Sequence, residues 1–185
     1  MKIGILGGGL GGLSTAIALK QKGGHVEVYE RHDRPTEIGA GIVCWPNATF
    51  VLEQLGVLND IAACAGAIEG MKRLSWSGEA LGQMDVNVLN AQMSFPSYSI
   101  LRKDLLNILT QRAKALGIKI HYAHNVQSIQ REQGKASVYF DNGLNIQPDI
   151  VIGADGRMNS HSRRYVHGDN RPIYQGFINW IGVYE

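Results

Sequence analysis

The stretch ILGGGLGGLSTAIAL, residues 5–19, places five glycines between an apolar run and a helical pattern. The isoleucine-rich run Lys2–Leu6 predicts a buried strand, and Leu13, Ile17 and Leu19 among alanines predict a helix. The glycines therefore form the turn from a strand into a helix. Such a turn suits an anionic ligand, because a helix begins with unpaired N–H groups.

The spacing of the glycines indicates which ligand this turn binds. Gly7, Gly9 and Gly12 fit the pattern G-x-G-x-x-G, in which the first glycine permits a tight turn and the second leaves room for a pyrophosphate. The third glycine lets the helix pack closely on the strand. Leu10 and Gly11, at the start of the helix, belong to the same predicted dinucleotide site.

A second strand supplies the acid that this pattern requires. The segment HVEVYE, residues 25–30, alternates in hydrophobicity and ends at Glu30, about 20 residues after the glycines. A carboxylate there can accept hydrogen bonds from both hydroxyls of an adenosine ribose and would repel a 2′-phosphate. The sequence therefore predicts that the tightly held nucleotide is FAD or NAD rather than NADP. The alternative is a structural strand-helix-strand turn with Glu30 on the surface.

The remaining pattern predicts a doubly wound, Rossmann-like α/β domain with part of a β-rich domain. In chain order we expect a long connection over 31–46, helices over 47–56 and 58–64, antiparallel strands over 67–99, a helix over 102–117, a strand over 118–122, a three-stranded meander over 126–149 and a strand over 149–153. Asp155 and Gly156 follow this last strand, at the edge where such folds bind ligands. Asp155 can hold a ribityl hydroxyl, orient an arginine or simply cap a turn.

Composition excludes several classes of function. The net charge is +2 with scattered lysines and arginines, which predicts no nucleic-acid partner. No apolar run approaches the about 18 residues that cross a bilayer, so we expect no membrane span. Cys44 and Cys64 lack metal-ligand spacing, so we expect no metal and a reducing cytoplasmic location. We also expect no signal peptide. His121 and His124 are predicted to be strand-surface or loop residues without an acidic partner at ligand spacing.

Several segments, taken together, make the chain resemble a known family. They are GGGLGG at 7–12, Glu30-Arg31, GAGI at 39–42, PNA at 46–48, Arg102 in LRKDLLNIL and DIVIGADG at 149–156. In this order they closely resemble the single-component flavin-dependent aromatic monooxygenases of the para-hydroxybenzoate hydroxylase type. Within that group, WPNATFVLEQLGVLNDI and YQGFINWIGVYE are most similar to FAD-dependent urate hydroxylases and salicylate-hydroxylase-like enzymes.

The resemblance implies FAD as the cofactor and a set of contacts with it. The glycine turn would face the pyrophosphate, Glu30 would bind the adenosine ribose, and Arg31 and the backbone of Val126 would contact the adenine. Arg102 would reach the phosphates or the ribityl chain, and Gly41 and Ile42, within residues 39–47, would line the flavin ring. Asp155 and Gly156 would contact both FAD and the pyridine nucleotide. For Arg102 the alternative is a solvated arginine in the first turn of a helix.

The resemblance also implies a reaction. In such enzymes NADH or NADPH reduces the flavin, and one oxygen atom of O₂ is inserted into a small aromatic or purine-like substrate. The protein supplies position, electrostatics and exclusion of water, so we identify no catalytic residue. Two alternatives stay open: an FAD-binding module without turnover, and another flavin oxidoreductase such as a halogenase or reductase. An NAD-linked dehydrogenase would need a catalytic acid or base that nothing in the sequence nominates.

Two features depart from the family pattern. The segment DGRMNSHSR has one extra residue before Ser160 and Arg163, compared with D-G-x-x-S-x-x-R. Family members are also about twice as long, so we expect this chain to be an N-terminal portion that pairs with a missing C-terminal half or forms a homodimer. We assign 1–66 and 100–165 to the FAD-binding domain, and 67–99 and 166–185 to part of a β-sheet substrate domain.

Overall fold

The computed structural model describes residues 1–35, 39–168 and 172–176. The strands are β1 (Lys2–Leu6), β2 (His25–Tyr29), β3 (Gly41–Cys44), β4 (Gly66–Ala67), β5 (Gly70–Leu74), β6 (Ala80–Asp85), β7 (Tyr98–Leu101), β8 (Lys119–His121), β9 (Val126–Glu132), β10 (Lys135–Phe140), β11 (Asn145–Ile146) and β12 (Ile150–Gly153). The helices are α1 (Leu10–Gln21), α2 (Pro46–Gln54), α3 (Leu58–Ala62), α4 (Val86–Met93), α5 (Arg102–Ala115) and α6 (His161–His167). These elements confirm the α/β class that the sequence predicts.

A four-stranded parallel sheet carries the glycine turn. Its strand order is β12-β1-β2-β8, and Ile5 on the central strand β1 pairs with Ile152 on one side and Val28 on the other. Parallel neighbours need a crossover, and α1 provides it between β1 and β2. The predicted helix face is buried at Leu13 and Ile17. The apolar run and the helical pattern therefore form the strand-helix-strand unit expected from the sequence.

The predicted meander is a three-stranded antiparallel sheet in the order β11-β10-β9. Its apolar face joins the parallel sheet through one buried cluster. The cluster consists of Leu6, Tyr29, Val126, Val138 and Phe140. Burying such side chains contributes about 1.5–3 kcal/mol each, so this cluster stabilises the end of β1 from which the glycine turn begins.

The chain divides into two compact units. One comprises Met1–Glu37 and Leu109–Ile181, and the other comprises Ile38–Ile108 and Gly182–Glu185. The parallel sheet and the meander belong to the first unit, whereas the second contains a sheet of order β3-β7-β4 and the two-stranded sheet β5-β6. This division reflects the density of contacts. The assignment of segments to an FAD-binding domain and a substrate domain stays a prediction.

Two segments of the second unit differ from the sequence-based expectation. Strand β3 lies inside 31–46, predicted to be only a connection, and pairs antiparallel with β7. Helix α4 interrupts 67–99, for which only strands are predicted. Asp85 caps this helix by accepting a hydrogen bond from the Asn87 amide at 2.9 Å. Valines and asparagines in VNVLNAQM have low helix propensity, which is why the pattern did not indicate a helix.

The end of the chain is only partly described. Residues 172–176 form no helix or strand. The predicted return to the substrate sheet from Tyr174 onward falls mainly on 177–185, which lie outside the described residues. Within the described ranges, no helix is long and apolar enough to cross a membrane.

Candidate nucleotide-binding site

The first part of the site is the turn between β1 and α1. Gly7 has a φ of +113°, a conformation that favours glycine, and its amide donates to the Tyr29 carbonyl at 2.8 Å. A β-carbon on Gly7 would lie 2.2 Å from the carbonyl oxygen of Ala154. A β-carbon on Gly12 would lie 1.9 Å from the carbonyl oxygen of Gly7. Both positions therefore require glycine because of the surrounding backbone.

The space above the turn is open where the glycine pattern requires room for a pyrophosphate. Gly9 is the N-cap of α1, and a β-carbon on Gly9 or Gly11 would meet no atom within 4 Å. The first turn of α1 contains no acidic residue, so nothing in it offsets the positive end of the helix dipole. A diphosphate fits this cradle in shape and charge. Leu10, the first helical residue, adds an amide to it.

Glu30 closes the site at the end of β2. One carboxylate oxygen, Oε2, accepts a hydrogen bond from the Gly8 amide at 2.6 Å. The other, Oε1, accepts from the His32 amide at 3.0 Å and lies 2.6 Å from Nδ1 of the His32 ring. Burial by itself would raise the pKa of Glu30, but the amide hydrogen bonds from His32 and Gly8, together with the hydrogen bond and charge of the His32 ring, outweigh it and lower the pKa. The carboxylate is therefore held ionised beside the glycine turn.

Main-chain hydrogen bonds fix the position of Glu30. Its amide donates to the His121 carbonyl and its carbonyl accepts from the His124 amide, both at 2.8 Å. The His32 carbonyl accepts from the Ala123 amide at 2.9 Å. The segment from Glu30 to His32 is thus paired with the chain that follows β8. A carboxylate anchored in this way is preorganised for a ligand.

The residues predicted to meet the adenine lie on either side of this segment. Arg31 is exposed next to Glu30. The Val126 side chain is 7% exposed and belongs to the buried cluster, so it is occupied in the core. Contact of Arg31 and of the Val126 backbone with adenine stays a prediction.

The second part of the site follows β12, whose Gly153 pairs with Leu6 at the end of β1. Asp155 accepts hydrogen bonds from the Ser160 hydroxyl at 2.7 Å and from the Ser162 amide at 3.1 Å. Gly156 has a φ of +92°, which glycine tolerates. The extra residue in this loop is therefore accommodated with Asp155 still tied to the start of α6.

A cleft of about 360 Å³ opens beside this loop. Asp155, Ser160, Arg163 and His167 contribute to its lining. The hydroxyl of Ser162 is buried there with no hydrogen-bond partner among the residues that the structure describes. A buried, unsatisfied hydroxyl at the edge of a cleft is a group that a bound ligand can satisfy.

The residues predicted to contact the flavin ring and Arg102, predicted to contact the FAD phosphates or ribityl chain, lie together in the second unit. Gly41 pairs with Leu101 and Ile42 with Ile100 across β3 and β7. The amide of Arg102 donates to the Ala40 carbonyl at 3.1 Å. A β-carbon on Gly39, whose φ is +132°, would lie 2.7 Å from Cδ of Arg102. The Arg102 side chain therefore packs over this glycine.

The histidines show what sequence reasoning missed. His121 stacks on Tyr29 with ring centroids 4.8 Å apart, and its Nε2 lies 3.0 Å from the Glu27 carboxylate, an acidic partner that the sequence did not indicate. The sequence also gives no indication that His32 and Gly8 hold Glu30. The pattern Glu-Arg-His carries no recognisable signal, because the contact depends on the fold of the segment after β2. The described part of the chain contains no cluster of three metal-binding side chains.

The parallel sheet, the glycine turn and the acid at the end of β2 define a Rossmann-like nucleotide-binding domain. Comparison with known proteins identifies the nucleotide. Residues 1–184 match the family described as FAD binding domain, and the chain belongs to that family. The match confirms the resemblance stated above and decides between FAD and NAD in favour of FAD.

Three relatives illustrate the similarity. An FAD-dependent urate hydroxylase of Mycolicibacterium vanbaalenii is 33% identical over 190 residues, which cover 99% of this chain and 47% of the relative. The solved structure of Klebsiella pneumoniae HpxO complexed with FAD and uric acid aligns with a TM-score of 0.75 at 29% identity, covering 89% of this chain and 41% of that one. The solved structure of 2-methyl-3-hydroxypyridine-5-carboxylic acid oxygenase aligns with a TM-score of 0.78 at 28% identity, covering 90% and 42%. The chain spans about half the length of the curated relatives it matches.

Proposed function

We propose that the chain is the N-terminal, FAD-binding portion of a flavin-dependent monooxygenase that hydroxylates an aromatic or purine-like small molecule, using NADH or NADPH and O₂. The observation that carries the proposal is the pairing of an open glycine turn with an anchored carboxylate, joined by the hydrogen bond from the Gly8 amide to Glu30. The enzymatic relatives support the reaction class, and their names refer to urate and to a hydroxypyridine carboxylic acid.

Different residues are proposed to bind different parts of FAD. The amides around Gly9, Leu10 and Gly11 bind the pyrophosphate, because the space beside these glycines is open. Glu30 binds the adenosine ribose. Asp155, held by the Ser160 hydroxyl, binds the ribityl chain. Gly41 and Ile42 remain predicted contacts of the flavin ring, and Arg102 remains a predicted contact of the FAD phosphates or ribityl chain. Arg31 and the Val126 backbone remain predicted adenine contacts.

Bound FAD would supply the redox chemistry that activates O₂, and this chain's residues would supply binding and orientation. The helix dipole of α1 and its free amides offset the negative charge of the diphosphate. Glu30 accepts hydrogen bonds but is not itself protonated, since its lowered pKa keeps it ionised. No side chain of the described residues is proposed as a proton donor or acceptor in the reaction.

An absorbance spectrum of the purified 185-residue chain tests the proposal. We expect flavin bands, and urate or phenolic acids are expected to stimulate oxidation of NADH or NADPH. Asp155→Ala is expected to lose the flavin bands, while Asp141→Ala, in an exposed turn after β10, keeps them. A wild-type chain that binds no FAD when it is supplied in excess would refute the proposal.

A second candidate function is an FAD-binding module that performs no turnover alone. The observation in its favour is that the chain spans less than half of the Mycolicibacterium vanbaalenii relative. Flavin bands without substrate-stimulated oxidation would support this second candidate.

Both cysteines are free, which supports the proposal of a reducing, cytoplasmic location.

A further inference from the structure

The two oxygens of the Glu30 carboxylate are already engaged by the protein. Oε1 accepts from the His32 amide and lies 2.6 Å from the His32 ring, and Oε2 accepts from the Gly8 amide. Each carboxylate oxygen offers about two lone-pair positions. Oε1 is therefore filled, whereas Oε2 keeps one position for another donor.

An adenosine ribose presents two neighbouring hydroxyl donors to this carboxylate. Two-point recognition, with one hydroxyl on each oxygen, requires that Oε1 release one of its partners. The inference below rests on the proposed function, because it takes Glu30 as the ribose acceptor.

The two partners of Oε1 differ in their freedom to leave. The His32 main chain is fixed, because its carbonyl accepts from the Ala123 amide and the neighbouring Glu30 is paired on both sides. The His32 side chain is 43% exposed, and the hydrogen-bond contact that its ring makes among the described residues is with Glu30. The imidazole is therefore the partner that a ribose hydroxyl can displace.

We propose that the His32 imidazole competes with the adenosine ribose for Oε1 of Glu30, so that His32 sets the affinity for the nucleotide and makes it depend on pH. A protonated imidazole carries a positive charge and donates from both nitrogens, so it holds the carboxylate more strongly than the neutral ring. Histidine side chains change charge between about pH 5 and 8. Nucleotide affinity is accordingly expected to be lower at pH 5.5 than at pH 8.

Several other ionisable groups lie close to His32 in the chain or on the segment paired with it. Arg31, Asp33 and Arg34 flank it in the chain. Tyr122 and His124 lie on the paired segment, where the His124 ring contacts the Tyr122 carbonyl at 2.7 Å. Burial and the charge of Glu30 raise the pKa of Tyr122, so its phenol stays neutral. The pKa of Glu30 is lowered, so this carboxylate stays ionised over the same range.

Calorimetric titration of the 185-residue chain with ADP and with FAD, at pH 8 and pH 5.5, tests the proposal. We expect His32→Ala to bind ADP about three- to tenfold more tightly than wild type at pH 5.5, since partly exposed ion pairs have modest strength. At pH 8 the two proteins differ less. His25→Gln, at the other end of β2, is the matched control and keeps the wild-type affinity and pH dependence.

Two further measurements separate competition from other roles. ADP lacking both ribose hydroxyls is expected to bind wild type and His32→Ala equally. In nuclear magnetic resonance spectra of the wild-type chain without flavin, the His32 ring signal is expected to shift on adding ADP and not on adding the dideoxy analogue.

Each contrary result has a distinct meaning. Weaker binding by His32→Ala at both pH values would show that His32 positions Glu30, and would overturn competition. An unchanged pH dependence in His32→Ala would overturn it as well. If wild type binds neither ADP nor FAD at any pH, the proposed function fails and this proposal fails with it.

Discussion

The backbone of Gly7 approaches the carbonyl of Ala154 so closely that a β-carbon on Gly7 would lie 2.2 Å from the carbonyl oxygen. The contact joins the ends of two adjacent parallel strands, since the Ala154 amide also donates to the Leu6 carbonyl at 2.8 Å. The glycine turn and the Asp155 loop are therefore packed against each other. A change in one of them is expected to displace the other.

Replacing Gly7 by alanine is expected to destabilise the fold. The positive φ costs about 1–2 kcal/mol for a residue with a β-carbon, and relieving the overlap with Ala154 adds about 1–3 kcal/mol. The midpoint of urea denaturation should fall accordingly, with a total loss of about 3 kcal/mol. A Gly7→Ala protein as stable as wild type would contradict the steric role assigned to this residue.

Replacing Gly9 by alanine is expected to leave the fold intact and to weaken FAD binding. Its φ of −77° suits alanine, and the added β-carbon would meet nothing within 4 Å in the protein. That β-carbon would occupy the space assigned to the pyrophosphate, so FAD affinity should fall at least about 100-fold, comparable with losing two charge-assisted hydrogen bonds. Titration of FAD by flavin fluorescence measures the loss.

Gly82→Ala is the matched control for Gly9→Ala, since Gly82 in β6 is also open and has no positive φ. Both variants should unfold close to the wild-type temperature. Only the first should lose FAD. If wild type and both variants bound FAD with equal affinity, this would contradict the placement of the pyrophosphate beside Gly9.

The sequence predicts the first unit better than the second for a physical reason. The run Lys2–Leu6, the helix after it and the acid at Glu30 lie within 30 residues, so their spacing is set by local geometry that recurs in many proteins. Strand β3 has no such local signal. Its four residues become a strand only through pairing with β7, about 57 residues later.

Hydrogen bonds of individual side chains were harder to predict than the elements that carry them. The sequence indicated Glu30 as a ligand contact, but not that the His32 ring would lie on its carboxylate. That contact depends on the pairing of His32 with Ala123, two segments separated by about half of the chain. The same reasoning applies to the contact of Glu27 with His121, because His121 comes from the neighbouring strand β8.

Replacing Glu30 by glutamine is expected to remove part of the pH dependence of stability. The pKa of Glu30 is lowered in the folded chain, so its ionised form stabilises the fold above the ordinary value of 4.5. This contribution is lost as the pH falls through the lower folded value. Wild type should therefore be more stable than Glu30→Gln at pH 7, and the difference should shrink as the pH falls below 4.5.

Thermal unfolding followed by circular dichroism at several pH values measures this difference. Glu53→Gln, on the exposed side of α2, is the control and should parallel wild type throughout. A constant gap between wild type and Glu30→Gln across the whole range would show that the hydrogen bonds from Gly8 and His32 do not favour the ionised carboxylate.

Replacing Ser160 by alanine is expected to affect both stability and FAD binding, because its hydroxyl makes two hydrogen bonds. It accepts from the Arg163 amide at 2.9 Å as the N-cap of α6 and donates to Asp155 at 2.7 Å. Loss of the cap should cost about 1 kcal/mol. Loss of the donor frees one oxygen of Asp155, so the carboxylate is less well oriented for the cofactor and FAD affinity should fall about fivefold to tenfold.

Asp85→Ala separates the two effects of Ser160→Ala. Asp85 is the N-cap of α4 and accepts from the Asn87 amide, so this variant also loses a helix cap but leaves Asp155 untouched. The two variants should lose similar stability in urea denaturation, and only Ser160→Ala should weaken FAD in a fluorescence titration. If both bind FAD as wild type does, the orientation of Asp155 is fixed by the Ser162 amide alone, because that is the other hydrogen bond its carboxylate accepts among the described contacts.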